Sequence, residues 1–183
     1  MKRPDQQRGR TGHADSTGVP RSWRSYNHSL RLLDNNDKEA FRLNQIAAQE
    51  GMHDAVLAMG WFYLNGVGID ADIAEAIRWY RRSARQGDKR AMFSLGQIAY
   101  FGRDYSEALL WFKRAADKGH HRSDFWIGKL YWRGQGIPLD QQQAKQYFAR
   151  AASKKLPEAQ RVLRYLAFVT GRRSTEHNRN VRA

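Results

Sequence analysis

Between residues 36 and 170, apolar and small side chains recur at the three- and four-residue spacing that gathers them on one side of a helix, with polar residues between. The stripes read Leu43, Ala47, Ala48, Gly51; then Trp79, Tyr80, Ser83, Ala84, Gly87; then Trp111, Phe112, Ala115, Ala116, Gly119; then Tyr147, Phe148, Ala151, Ala152, Lys155. Ahead of them stand Asn36-Asp37-Lys38-Glu39-Ala40, Asp72-Ile73-Ala74-Glu75-Ala76, Asp104-Tyr105-Ser106-Glu107-Ala108 and Asp140-Gln141-Gln142-Gln143-Ala144, spaced 36, 32 and 36 residues apart. The Asn or Asp oxygen of each can accept from the first free N–H groups of a helix, and the Glu or Gln three residues on can reach back, as in a capping box. The pattern predicts four helices starting within two residues of positions 36, 72, 104 and 140, and no β-sheet. Glycine ends three of the stripes as a left-handed cap, whereas Lys155 breaks the rule and Pro157 is expected to supply the stop.

A second helix precedes each of the last three caps, through Ala55, Met59, Gly60, Phe62, Tyr63, Gly66; Ala91, Leu95, Gly96, Ile98, Ala99, Gly102; and Ser123, Ile127, Gly128, Leu130, Tyr131, Gly134. A mid-helix glycine costs about 1 kcal/mol relative to alanine, so its recurrence at 60, 96 and 128 predicts close approach of a neighbouring helix. Units of this size cannot bury an apolar face alone and must stack, which makes the expected fold an all-α solenoid of helix pairs, with units at about 54–89, 90–121 and 122–157.

Two of the inter-helix loops also match, Gly66-Val67-Gly68-Ile69-Asp70-Ala71-Asp72 and Gly134-Gln135-Gly136-Ile137-Pro138-Leu139-Asp140. Taken together, the pattern Ala, Leu-Gly, Tyr, Gly-x-Gly-Val, Asp, Ala, Trp-Tyr, Ala-Ala, Gly resembles the Sel-one-like repeat (SLR) family, relatives of the tetratricopeptide repeats. The resemblance covers residues 36–171 and implies a right-handed superhelix of antiparallel helix pairs serving as an adaptor or scaffold for protein complexes. The middle unit departs from it: Gly102-Arg103-Asp104 drops four loop residues and Ala99 replaces the tyrosine.

The array is expected to span residues 22–171. A segment from Ser22 to Leu33 with Trp23, Tyr26, Leu30 and Leu33 at helical spacing covers its first unit, and Glu158–Thr170, through Ala159, Leu163 and Leu166, closes it. Residues 1–21 and 172–183 hold too little apolar area to offset the entropy of ordering and are expected to be disordered basic tails. No apolar run follows Met1-Lys2-Arg3 before Trp23 and no stretch of eighteen apolar residues occurs, so neither a signal peptide nor a membrane span is expected, and the chain reads most simply as cytoplasmic. With no cysteine, disulfide and thiolate chemistry are excluded.

Net charge changes the picture: it is +14, and more than half of the excess lies in residues 1–31 and 171–183. Such tails attract nucleic acid, anionic lipid or acidic proteins through a salt-sensitive field, unless they serve solubility alone. Arg78, Arg81, Arg82 and Arg85 project from one side of a single helix, which reads either as a solvated outer face or as a contact for a polyanion. No nucleic-acid-reading signature accompanies them.

The strongest candidate surface is on the first helix of each pair, opposite the core positions: Leu57, Trp61, Leu64; Phe93, Gln97, Tyr100, Phe101; and Phe125, Lys129, Trp132, Arg133. First helices line the concave face of such solenoids, so this row would form an aromatic groove of the composition found at binding hot spots, with Tyr100 and Trp132 partly exposed on its floor. Burial of the 57 and 61 rows between neighbouring helices is the alternative. No catalytic, cofactor or metal site is expected. His13 and His177 lie in the tails, His28 in the leading helix and His53, His120 and His121 in turns, without the spacing of a helical zinc pair. The reading is a non-enzymatic scaffold holding a peptide or helix of another protein, the alternative an accessory polyanion-binding protein acting through tails and arginines.

Overall fold

The computed structural model describes residues 20–33 and 35–180, with side chains to residue 168. Among the described residues there are nine helices and no β-strand: α1 (Arg21–Leu32), α2 (Asp37–Gln49), α3 (His53–Asn65), α4 (Ile73–Arg85), α5 (Lys89–Phe101), α6 (Tyr105–Asp117), α7 (His121–Arg133), α8 (Gln141–Ser153) and α9 (Pro157–Asn180). Sequential helices pack as antiparallel pairs, α1 on α2, α3 on α4, α5 on α6 and α7 on α8, which makes an all-α solenoid. The contacts divide it into two compact units, one through Gln86 with α1–α4 and one from Gly87 with α5–α9.

The four expected caps are in place. Asn36, Asp72, Asp104 and Asp140 accept from the backbone N–H of Glu39, Glu75, Glu107 and Gln143 at 3.3, 3.0, 3.1 and 2.9 Å. The reciprocal half of the capping box is not what the acidic residues do. Each cap's own N–H already donates to the helix before it, to Leu32 O, Tyr63 O, Ala99 O and Tyr131 O at 2.8–3.0 Å. Glu39 and Glu75 are thereby released to pair with Arg42 and Arg78, and Glu107 accepts from Trp111 Nε1 at 2.6 Å.

The recurrent mid-helix glycines have the predicted cause. A Cβ at Gly60 would lie 2.6 Å from the Tyr80 ring, at Gly96 2.6 Å from the Phe112 ring, and at Gly128 2.7 Å from the Phe148 ring. Each glycine is the recess into which the aromatic of its own pair's second helix sinks, leaving Tyr80, Phe112 and Phe148 buried. The second loop glycines act at longer range: a Cβ at Gly68 would meet Asp37 O at 2.1 Å, and one at Gly136 would meet the Tyr105 carbonyl carbon at 2.6 Å. These loops therefore lie against the first turn of the preceding pair's second helix, a contact only glycine permits.

Four expectations are corrected. Lys155 itself takes the left-handed conformation (φ +61°) and donates to Ala152 O, with Leu156 donating to Ala151 O, so it caps α8 as the glycines do elsewhere, and Pro157 instead opens α9. In α1 the covering side is Tyr26, Leu32 and Leu33, while Trp23 and Leu30 are exposed. His53 and His121 are the first residues of α3 and α7 rather than turn residues. Finally, α9 does not stop before residue 172: its backbone stays helical to Asn180, because no proline or further glycine follows Gly171 to break it. The expected tail at 1–19 lies outside the described residues.

Candidate functional site

In the unit through Gln86, Ala55, Met59 and Phe62 of α3 are buried, and Leu57, Trp61 and Leu64 fall on its other side. Leu57 and Leu64 are half-buried, and Trp61 is 42% exposed with its ring edge-on to Phe62 at 5.4 Å.

In the unit from Gly87, two expected groove residues are core. Phe93 is 8% exposed, packed on Phe112 at 5.7 Å and on the His120 ring at 4.3 Å. Tyr100, expected to be partly exposed on the groove floor, is 9% exposed and enclosed by Tyr105, Phe101 and Trp126 at 5.4, 5.6 and 4.7 Å. The cause is Trp126, a residue that pattern reading passed over. The other units carry Ala58 and Ser94 at its position, and its large ring stacks on Phe112 at 5.6 Å and closes over Tyr100. The available signal was that one-copy departure from a small residue. Gln97 is half-buried, and Phe101 is 70% exposed.

Tyr100 and Trp126 in turn position two cations of α7. Lys129 Nζ sits 4.0 Å from the Trp126 ring centre and 5.2 Å from that of Tyr100, and Arg133 Nη1 donates to Tyr100 Oη at 3.1 Å. Burial, and then the nearby Arg133 charge, pull the Lys129 pKa below the ordinary lysine range. Ring faces hold an ammonium without neutralising it.

One turn further round α7, Phe125, Lys129, Trp132 and Arg133 form one wall of a cavity of about 270 Å³, closed by Phe148 of α8 and by Val162, Tyr165 and Leu166 of α9. Four of the expected residues are thus brought together. The sequence pattern of α9 predicts only an end cap, and the structure makes it a wall of the cavity as well. Phe125 packs on Phe148 at 5.6 Å, anchoring the floor, while Tyr165 at the rim is 65% exposed.

The arginine stripe resolves differently. Arg78, Arg81, Arg82 and Arg85 are all exposed; Arg78 pairs with Glu75, and Arg82 lies over the Trp79 ring at 5.2 Å. The same stacking recurs as Arg114 over Trp111 at 4.8 Å and Arg150 over Tyr147 at 5.2 Å. Arg150 additionally lies 3.1 Å from Asp124, a nearly buried carboxylate whose pKa burial raises. The part of the stripe that repeats is therefore packing between an aromatic and the arginine three residues on. Among the described residues no three His, Asp or Glu side chains gather as a metal site would require. No helix among them is long and apolar enough to cross a membrane.

Comparison with known proteins gives the same architecture. The family model described as Sel1 repeat matches residues 53–88, 89–120 and 122–156. The crystal structure of a Sel1 repeat protein from Oxalobacter formigenes is 30% identical, with a TM-score of 0.77 over 86% of this chain and 68% of that one. A protective antigen of uropathogenic Escherichia coli displaying an SLR fold is 27% identical, with a TM-score of 0.71 over 76% of this chain and 32% of that one. The chitin synthase regulator SKT5 of Malassezia restricta is 37% identical over 68 residues, 37% of this chain; the match spans only 5% of that relative's length.

Proposed function

The chain belongs to the Sel1 repeat family, and on that premise we propose that it is a non-enzymatic adaptor that holds a peptide or helix of another protein against the open side of α7. The observation that carries this reading is the cavity between α7 and α9, an apolar recess with Trp132 in its wall and the exposed Tyr165 at its mouth. Large aromatics around a recess are what interface centres use, since they bring apolar area at low conformational cost. A chitin synthase regulator among the relatives accords with work done on another protein. The aromatic row of α3, with Trp61 exposed, is a second stretch of the same kind in the other unit.

Of its helix the polyanion alternative keeps Arg81, Arg85 and Arg82, the last held over the Trp79 ring, since only Arg78 is paired with a carboxylate, that of Glu75. The two readings separate by mutation. A protein captured by the full chain from lysate is titrated against the purified variants Trp132→Ala/Tyr165→Ala and Arg81→Gln/Arg85→Gln. Interface aromatics commonly contribute 2 kcal/mol or more each, so the aromatic variant is expected to lose about thirtyfold or more in affinity and the arginine variant less than about threefold. Loss confined to the arginine variant, with both variants melting normally, would overturn the proposal.

A further inference from the structure

The cavity on α7 combines an apolar interior with two positive charges that no carboxylate among the described residues answers. Lys129 and Arg133 are one helical turn apart, about 6 Å along the axis. Among the described residues neither lies in an ion pair, and their neighbours are rings and hydroxyls: Trp126 and Tyr100 beneath Lys129, Tyr100 Oη beside Arg133. Some arginines elsewhere do meet a carboxylate, with Glu39, Glu75, Asp88, Asp124 and Glu158 each opposite one. Holding two like charges side by side at the edge of a half-buried apolar recess is unfavourable unless an anion arrives with the ligand.

Resting on the adaptor reading above, we infer that this site selects an acidic segment of a partner protein, in which two Asp or Glu side chains meet Lys129 and Arg133 while a neighbouring large apolar side chain fills the recess beside Trp132. The volume, about 270 Å³, is below the usual range of small-molecule pockets and suits one or two side chains. Two cations call for two carboxylates, more than a single chain terminus supplies. The chain's own amino-terminal residues do not fit: positions 1–19 carry four Lys or Arg against two Asp. A second copy would bring the same +14 excess. Tyr100 is a positioning residue here, since its ring and hydroxyl set both cations.

The test is selection of displayed peptides, random in sequence and in two formats, internal and with a free carboxyl terminus, on the full chain and on Lys129→Gln/Arg133→Gln. Internal peptides pairing two acidic residues with a Leu, Phe or Trp are expected to be enriched on the full chain. Synthetic versions, amidated at the end, should lose about tenfold or more in affinity on Glu→Gln replacement or on the glutamine variant, and keep it on Lys129→Arg/Arg133→Lys. Tyr100→Phe should weaken the acidic preference while leaving the melt unchanged. Enriched apolar peptides without acidic residues would overturn this inference and leave the adaptor reading standing. Selection confined to free carboxyl termini, or full displacement of the peptide by short single-stranded DNA, would overturn the stated chemistry. Failure to enrich any peptide would overturn both.

Discussion

At the scale of single residues, opposing effects can be weighed at Gly96. Helix propensity alone says that alanine there should add about 1 kcal/mol of stability, because glycine is costly in a helix interior. Packing says the reverse, since the new Cβ would stand 2.6 Å from the Phe112 ring, and Phe112 is fully buried beneath Phe93 and Trp126 with nowhere to move. Overpacking a filled core costs about 1–3 kcal/mol, so Gly96→Ala is expected to lower the urea midpoint rather than raise it. His120 gives a second residue-scale prediction. Its ring lies against Phe93 with Nδ1 3.0 Å from Ser123 Oγ. Burial, and then the charges of Lys89, Arg122 and His121, push its pKa down from 6.5 to about 4. Between those values the unfolded chain takes up a proton that the folded one refuses, so His120 leaves stability intact above pH 6.5 and subtracts from it as the pH falls toward 4. In denaturation midpoints measured at about pH 7 and about pH 4.5, His120→Gln should show a smaller drop than the natural chain.

At the scale of helices and turns, the same end motif is built twice without glycine, at Arg103 after α5 and at Lys155 after α8. Lys155 adopts a left-handed conformation that Gly51, Gly87 and Gly119 take without strain. Lys155→Gly is therefore expected to stabilise the protein by about 1 kcal/mol, read as a higher thermal or urea midpoint; an unchanged or lower midpoint would show that the lysine stem makes contacts that offset the strain. This level was also the most legible in the sequence. Cap residues, glycine stops and the recurrent Gly60, Gly96 and Gly128 are local or repeated signals, and repetition turns each weak preference into a firm one. What escaped was set by residues that appear once. Trp126 converts Tyr100 from a groove residue into core, and no period announces a ring where the other units have Ala58 and Ser94. The wall that α9 gives to the cavity depends on where the last helix packs, which an amphipathic stripe does not specify. Lys129 and Arg133 were legible as identities, but that no carboxylate among the described residues pairs with them needed three-dimensional neighbours.

At the scale of the whole molecule, the question is what a net charge of +14 contributes to recognition. Charge spread over exposed arginines and lysines attracts any polyanion, and that attraction comes largely from counterion release, so it falls steeply with salt. The α7 cavity works on different terms. Lys129 is half-buried over two rings and Trp132 lines a recess, so for a partner seated there, as proposed, desolvation and packing would carry much of the binding and screening would reach them less. Raising salt from about 50 to about 200 mM is accordingly expected to cut the affinity for unrelated duplex DNA by about a thousandfold if six or more phosphates are engaged. A protein partner seated on the cavity should lose no more than about tenfold over the same range, because only the two cations at its edge respond to screening. Fluorescence anisotropy titrations of both ligands against the full chain make the comparison. Parallel, steep losses would mean that the partner rides on the general charge of the surface, and a DNA affinity that survives the higher salt would mean a nucleic-acid site outside the cavity.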